Sequence, residues 1–330
     1  MKQVVVARYG APVEIRDTYE PVVGPKDLLV GIKAASLNPI DFKIRDGKLK
    51  LVLTEKLPIP LGCDVAGVVE ATGGDVTAFN PGDEIFARLD KGKMGGLAER
   101  VCVDEALAAK KPANASFVEA AAVPLAGLTA LQALREKMKL QPGQRVLIHA
   151  GAGGVGSLAI QIAKAMGLWV ATTTSTKNIE LVKQLGADQV IDYTKQTISE
   201  LDPVDGVFDT LGGDSELASI AITKRGGTVV GVGGYPDQEF RKERMPWFTA
   251  PAIWFLTRKR TSAAKRAGVH FTYLFMRPDG AQLAELGAWI TDGKLKPLIH
   301  QTFPFDQINE AFAELERGRA RGKIVVKIDP

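Results

Sequence analysis

Histidine and cysteine are scarce, with three and two among 330 residues. Cys63 and Cys102 make neither a disulfide framework nor, by themselves, a four-thiolate zinc site. No run of 18 apolar residues occurs, which excludes a membrane-spanning helix of the usual length. The apolar stretch Val4-Val5-Val6-Ala7 is too short for a signal peptide, so a cytoplasmic location is expected. Charge of one sign is also lacking: 42 Lys and Arg against 38 Asp and Glu leave +4. That balance carries no electrostatic footprint for a specific nucleic-acid partner. What is plentiful is glycine, 34 residues or about a tenth of the chain against a usual ~7%. Such a content implies many tight turns, or backbone brought close to a ligand. With 45% apolar and 24% charged residues the chain is globular, and its length suits two domains.

Residues 2–8, 27–35, 66–71, 84–87 and 97–103 read as short strands between Gly-, Pro- and Asn-rich turns, an irregular and mainly antiparallel barrel-like unit. Helices are expected over 116–122, where Ser116 and Glu119 have capping-box spacing, and over 125–137. From Gln144 onwards the rhythm becomes strand–helix. Strands are expected at 145–150, 169–174, 189–191, 206–210 and 228–232, and helices at 154–166 and 179–185, the second closed by Gly186. Apolar strands joined by helical crossovers define a parallel, right-handed sheet. The stretch 235–275 breaks this pattern and is aromatic and basic. Its aromatics suit a substrate-pocket wall, a subunit contact or ordinary core. Its run Arg258-Lys259-Arg260 with Lys265-Arg266 suits a solvated helix face or a weak membrane-surface or RNA contact. Helices at 279–290 and 306–316 and extended segments at 298–303 and 323–328 follow, and the last strand is able to return to the first sheet.

The sharpest motif is Gly151-Ala152-Gly153-Gly154-Val155-Gly156, a G-x-G-x-x-G between an apolar strand and a helix. In such a turn Gly151 permits the bend, Gly153 admits a pyrophosphate to the backbone, and Gly156 packs helix on strand. The N–H groups of Gly154 and Val155 then open the helix toward the phosphates. An NAD site usually sets an acid about 20 residues further on, against the ribose. Here that strand ends Thr174-Ser175-Thr176-Lys177, and the first acid is Glu180. Ser175 and Lys177 either donate to a 2′-phosphate, which favours NADPH, or cap the helix that follows.

The stretch from Gly143 through the glycine turn to Lys164 resembles the medium-chain dehydrogenases/reductases, in their zinc-free quinone oxidoreductase and enone reductase branch. Ser36-Leu37-Asn38-Pro39-Ile40-Asp41, Leu61-Gly62-Cys63-Asp64, Pro81-Gly82-Asp83, Pro124-Leu125-Ala126-Gly127-Leu128-Thr129 and Gly322-Lys323-Ile324-Val325 extend the likeness over nearly the whole chain. It implies an α/β protein: a GroES-like, mainly β catalytic domain over 1–122, completed by 296–330, and a Rossmann doubly wound parallel sheet over 123–295, with the cofactor between them. It further implies Tyr193 beside Ser175 and Lys177 at the 2′-phosphate, Thr129 at the nicotinamide carboxamide, and a homodimer. Tyr193 otherwise just ends a strand, and the Thr129 hydroxyl otherwise bonds to its own helix.

Zinc-dependent members hold their metal with Cys and His where this chain has Asn38 and Cys63, so no metal is expected. His149, His270 and His300 show no ligand spacing. Without a metal to form an alkoxide, hydride delivery suits an acceptor that is already activated: a quinone, or the C=C bond of an α,β-unsaturated carbonyl. Lys43 stands where many quinone-reducing members carry Tyr. The expectation is that its ammonium stabilises the developing oxyanion, that Asp41 orients it, that Asn38 contacts substrate or ribose, and that Tyr235 closes over the acceptor. The bland reading of Lys43 is a solvated surface lysine. An NADPH-binding structural or RNA-associating protein is the alternative function.

Overall fold

The computed structural model describes residues 1–50 and 56–328. The chain forms two compact units, residues 1–128 with 277–330, and residues 129–276.

The first unit begins with β1 (Lys2–Val6), β2 (Glu14–Asp17) and β3 (Asp27–Ser36), then the short helix α1 (Pro39–Arg45). There follow β4 (Ile59–Pro60), β5 (Asp64–Thr72), β6 (Glu84–Arg88), β7 (Arg100–Asp104) and β8 (Ala108–Lys110). Helix α2 (Phe117–Ala121) starts on the reciprocal Ser116–Glu119 capping box read from the sequence, and α3 is Pro124–Leu131. Beyond α3 the expected single helix changes to a π-helical turn over Gln132–Lys137.

The second unit is the regular one. β9 (Arg145–Ile148), α4 (Gly154–Ala165), β10 (Trp169–Thr174), α5 (Ile179–Gln184), β11 (Gln189–Asp192), β12 (Val204–Asp209), α6 (Asp214–Ile222) and β13 (Thr223–Gly231) alternate as the hydrophobic runs require. The stretch 235–275 supplies α7 (Gln238–Arg244), α8 (Ala250–Ala267) and β14 (His270–Tyr273). The sheet order is β11-β10-β9-β12-β13-β14, parallel throughout, with the sequence reversing direction beside β9. This is the doubly wound Rossmann arrangement, whose ligands sit beyond the strand C-termini at the reversal. β14 was illegible in the sequence because its four residues are only partly buried.

The chain then returns to the first unit with α9 (Gly280–Thr291), β15 (Ile299–Pro304), α10 (Ile308–Glu316) and β16 (Lys323–Lys327). β16 pairs antiparallel with β3 in the sheet β15-β16-β3-β5-β6-β8, with β7 also on β3, so the last strand completes the GroES-like sheet. Its core gathers Val30, Ile32, Val65, Ile85, Phe312 and Val326.

The divisions at 128/129 and 276/277 differ from the expected 122/123 and 295/296. The cause is α9, which packs on β8. A Cβ at Gly280 would lie 2.5 and 2.6 Å from the carbonyl oxygens of Ala106 and Ala108, and one at Gly127 would lie 2.9 Å from Leu286. Those close approaches bind residues 277–295 to the β-rich unit.

Candidate functional site

In the second unit the glycine turn follows the end of β9. The expected strand 145–150 stops at Ile148, because Ala150 adopts a left-handed φ of 52° and turns the chain. A Cβ at Gly151 would meet Thr172 Oγ1 at 2.1 Å, and one at Gly156 would meet the Ala150 carbonyl oxygen at 2.2 Å. Only hydrogen fits at either position. Gly153 is the N-cap of α4 and offers it no side-chain cap, so the first-turn N–H groups at Gly154 and Val155 face a cradle open to an anion. His149 braces this turn from behind. Its ring nitrogens contact Thr173 Oγ1 at 3.2 Å and Ser219 Oγ at 3.0 Å, Ser219 donates to Asp209, and Ala150 N donates to Thr173 Oγ1. Burial lowers its pKa, which favours the neutral imidazole.

β10 and β11 run parallel with Thr174 opposite Asp192, and Tyr193 N donates to Thr174 O at 3.1 Å. Ser175 and Tyr193 therefore leave adjacent strand ends, with the exposed Lys177 two residues on. Ser175 Oγ accepts from Asn178 Nδ2. Sequence reasoning along the chain missed Asp192, which stands one strand over. Its carboxylate accepts from Thr176 Oγ1, Thr194 N and Thr194 Oγ1, and these bonds hold its pKa below the usual range. The negative charge is thereby turned onto Thr176 and Thr194. Thr129 lies in α3 and is buried. Tyr235 follows β13 and is half exposed. Its carbonyl accepts from Arg260, which also ion-pairs with Glu216 at 2.9 Å, so α8 fixes the path of the Tyr235 loop.

In the first unit the segment Asn38-Pro39-Ile40-Asp41-Phe42-Lys43 divides into inside and outside. Asn38 and Asp41 are buried, Lys43 half-buried. Asp41 accepts from Asn38 N at 2.8 Å and Gly62 N at 3.3 Å, which pins the start of α1 to the turn before Cys63. Burial above all, and the nearby Asp64, push its pKa up to about 7, against those bonds and Lys323. Asn38 is committed inward. Its Nδ2 donates to Ser36 O at 3.3 Å and Asp64 Oδ2 at 3.0 Å, and its Oδ1 accepts from Lys323. Asn38 and Asp41 are thus both held by internal bonds, because both groups sit where water is excluded and find partners within the fold. The Lys43 ammonium has no hydrogen-bond partner among the described residues, and burial, then Lys48, lower its pKa.

Lys323 is the charged member of this buried cluster that the sequence reading missed. It opens an apolar strand, is 5% exposed, donates to Leu37 O at 3.1 Å and stands 3.7 Å from Asp64 Oδ2. A lysine directly before Ile324-Val325-Val326 in a buried strand was the available signal.

Two family descriptions match the chain: the alcohol dehydrogenase GroES-like domain over residues 24–113 and the zinc-binding dehydrogenase over 185–326. The mitochondrial NAD(P)H oxidoreductase RTN4IP1 of Mus musculus is 34% identical over 98% of this chain and 88% of its own. The 2-methylene-furan-3-one reductase of Solanum lycopersicum is 39% identical over 93% of this chain and 73% of its own. The quinone oxidoreductase structure from Coxiella burnetii superposes with a TM-score of 0.86 at 35% identity, covering 100% of this chain and 99% of that one. The chain belongs to the medium-chain dehydrogenase/reductase family of oxidoreductases, in the branch of quinone oxidoreductases and enone reductases. No helix among the described residues is long and apolar enough to cross a membrane.

The zinc in one of those family descriptions does not fit the residues present. Asn38 turns amide hydrogens toward Asp64 and Cys63, the thiol of Cys63 is pushed well up by burial and stays protonated, and the Lys323 ammonium already supplies the local positive charge. A second cation there would meet the Lys323 ammonium, amide hydrogens and a protonated thiol, with the carboxylate of Asp64 already engaged. The glycine turn, by contrast, fits a dinucleotide pyrophosphate.

Proposed function

We propose that the protein is an NADPH-dependent oxidoreductase that transfers hydride, without a metal, to a quinone or to the C=C bond of an α,β-unsaturated carbonyl compound. The observation that carries this reading is the cation inventory around α1. Lys323 occupies the interior where a metal would need ligands, while Lys43 keeps a half-buried ammonium with no protein partner among the described residues. An alcohol would have nothing to make it an alkoxide there, whereas a conjugated acceptor needs only a charge to meet its oxygen. The names of the tomato and Coxiella relatives, an enone-type reductase and a quinone oxidoreductase, support the same acceptor classes.

Bound NADPH supplies the hydride. In this reading the Gly151–Gly156 turn holds its pyrophosphate, Ser175, Lys177 and Tyr193 its 2′-phosphate, and Thr129 its carboxamide. As hydride bonds to the β-carbon of an enone, the C=C pair becomes the double bond between the α-carbon and the carbonyl carbon and the carbonyl π pair moves onto oxygen, where Lys43 places its positive charge. A proton from Lys43 or water then completes the reduction. Asn38 and Asp41 fix the first turn of α1 and so aim Lys43, and Tyr235 closes over the acceptor.

Single-turnover NADPH oxidation with a medium-length enone tests the role of Lys43. Lys43→Met is expected to slow hydride transfer about a hundredfold, the scale of losing one oxyanion donor. An unchanged rate in a folded variant removes Lys43 from the mechanism. Cofactor choice gives a second check. Lys177→Ala is expected to raise KM for NADPH about tenfold and to leave KM for NADH unaltered, since only the phosphate is lost as a partner. Equal changes for both nucleotides would assign Lys177 to capping. Tight NADPH binding with no turnover on any quinone or enone would favour a cofactor-stabilised binding protein.

A further inference from the structure

Asp209 ends β12 with no solvent exposure and no ion pair among the described residues. Donors surround it instead. Its Oδ1 accepts from Leu211 N and Gly212 N, both at 2.9 Å, and its Oδ2 from Ser219 Oγ at 3.1 Å. A carboxylate only accepts, so the Ser219 hydrogen points at Asp209. The Ser219 oxygen then takes a hydrogen from His149 Nε2, 3.0 Å away, and His149 Nδ1 is left to accept from Thr173 Oγ1 at 3.2 Å. Burial lowers the pKa of His149 against the opposing charge of Asp209, so the ring carries one N–H and the chain runs in a single direction. Its far end is the glycine turn. Thr173 Oγ1 accepts from Ala150 N at 3.1 Å and Thr173 O from Gly151 N at 3.0 Å, where Ala150 holds its left-handed φ of 52°.

The same chain of bonds spans the place where the sheet order reverses. The glycine turn follows β9, the loop 210–213 follows β12, and a dinucleotide lies in the crevice between two such loops. Thr210 Oγ1 donates to His149 O at 3.1 Å, which ties the two walls at their base. The β12 loop in turn meets the Tyr235 loop backbone to backbone. Gly212 has a φ of 74°, and a Cβ there would lie 2.4 Å from Gly234 N. Asp209, Ser219 and His149 are themselves too buried to touch a ligand, so whatever they do for the site is done through these two loops.

We propose that Asp209 and Ser219 are positioning residues that lock His149 as the Nε2–H tautomer, and that the locked ring holds the Ala150 turn at the spacing from the β12 loop that the cofactor pyrophosphate needs. The inference rests on the pyrophosphate being seated on the glycine turn. The other tautomer would aim Nδ1–H at Thr173 Oγ1, which already accepts from Ala150 N. The Thr173 hydroxyl hydrogen, buried, would then lack an acceptor, and the side chain that anchors Ala150 would have to turn to find one.

The imidazole nitrogen NMR spectrum of the full chain without cofactor reads the tautomer directly, and with three histidines in the sequence His149→Gln assigns the signals. The parent ring is expected in the Nε2–H form. Asp209→Asn keeps the shape but donates to Ser219, which turns the Ser219 hydrogen toward His149 Nε2. The ring is then expected to change to the Nδ1–H form, and the Kd for NADPH, read by fluorescence titration, to rise about tenfold, the scale of one buried polar group left unsatisfied. Ser219→Ala removes the link and is expected to mix the two tautomers and to weaken NADPH binding comparably. Thr257→Val deletes another buried hydroxyl of the same unit, one bonded to its own helix at Ile253 O, and is expected to change neither reading. An unaltered circular dichroism spectrum shows each variant folded. Four results overturn the proposal: an Nδ1–H ring in the parent, a tautomer indifferent to Asp209→Asn and Ser219→Ala, an equal loss of affinity in Thr257→Val, or a changed tautomer with NADPH affinity intact although Gly156→Ala lowers it. Intact affinity in Gly156→Ala as well overturns the seat on the glycine turn, and the proposal with it.

Discussion

Lys323→Met is expected to lower the free energy of unfolding by roughly 3–5 kcal/mol, the usual cost of removing one partner of a buried ion pair. The ammonium sits 3.7 Å from a carboxylate with no solvent exposure, Asp64, and holds Leu37 O and Asn38 Oδ1. Met fills a similar volume but returns none of these bonds, and among the described residues Asp64 keeps hydrogen bonds from Ser36, Asn38 and Leu125 but no cation. Chemical denaturation measures the loss. Adding Asp64→Asn to Lys323→Met should recover part of it if charge is the cause, and no recovery would assign the effect to packing alone. A pH series adds a signed check. Asp41 is raised from 3.8 to about 7 in the folded protein, so its contribution is full below pH of about 4 and is lost as pH rises toward about 7. Lys323 opposes that rise, so in Lys323→Met the decline in stability should continue to higher pH. An unshifted pH profile would separate Lys323 from Asp41.

Gly156→Ala is expected to weaken NADPH binding at least about a hundredfold, and with it thermal stability, because the phosphate-facing N–H groups depend on how closely α4 approaches β9. The new methyl would meet Ala150 O at 2.2 Å, and Ala150 C and Gly151 Cα at 2.9 Å. All three are backbone atoms of the turn itself, so the clash cannot be relieved by a rotamer change, and the helix must slide away. Gly153→Ala is the internal comparison. Its methyl would lie 3.2 Å from Ala150 O with nothing else near, so it should leave the unfolding midpoint nearly unchanged. Thermal unfolding of both variants reads that difference, and fluorescence titration of Gly156→Ala with NADPH reads the loss of affinity. Unaltered affinity in Gly156→Ala would contradict the placement of the pyrophosphate on this turn.

What could be read along the chain was whatever is encoded locally. The β9–turn–α4 unit was legible because three glycines, an apolar run and a helical period fall within one short window, and the Ser116–Glu119 cap was legible because its two halves are three residues apart. The stretch 235–275 resisted because α8 buries only a narrow stripe and is otherwise both aromatic and basic, so its period is masked. The internal partners of Asn38 and Asp41 were illegible for a related reason: Asp64, Gly62 and Lys323 come from distant parts of the sequence.

The sequence by itself determined the alternating strand–helix, parallel character of the nucleotide-binding unit, the glycine turn, and Asn38 and Cys63 in place of zinc-type donors, since each is a matter of residue type at short spacing. Only the tertiary structure decided that Lys323 fills the interior beside Asn38, that Asp192 stands next to Thr176, and that α9 belongs with the β-rich unit. Burial and charge pairing between residues hundreds of positions apart are set by how strands are placed side by side, and no local pattern carries that information.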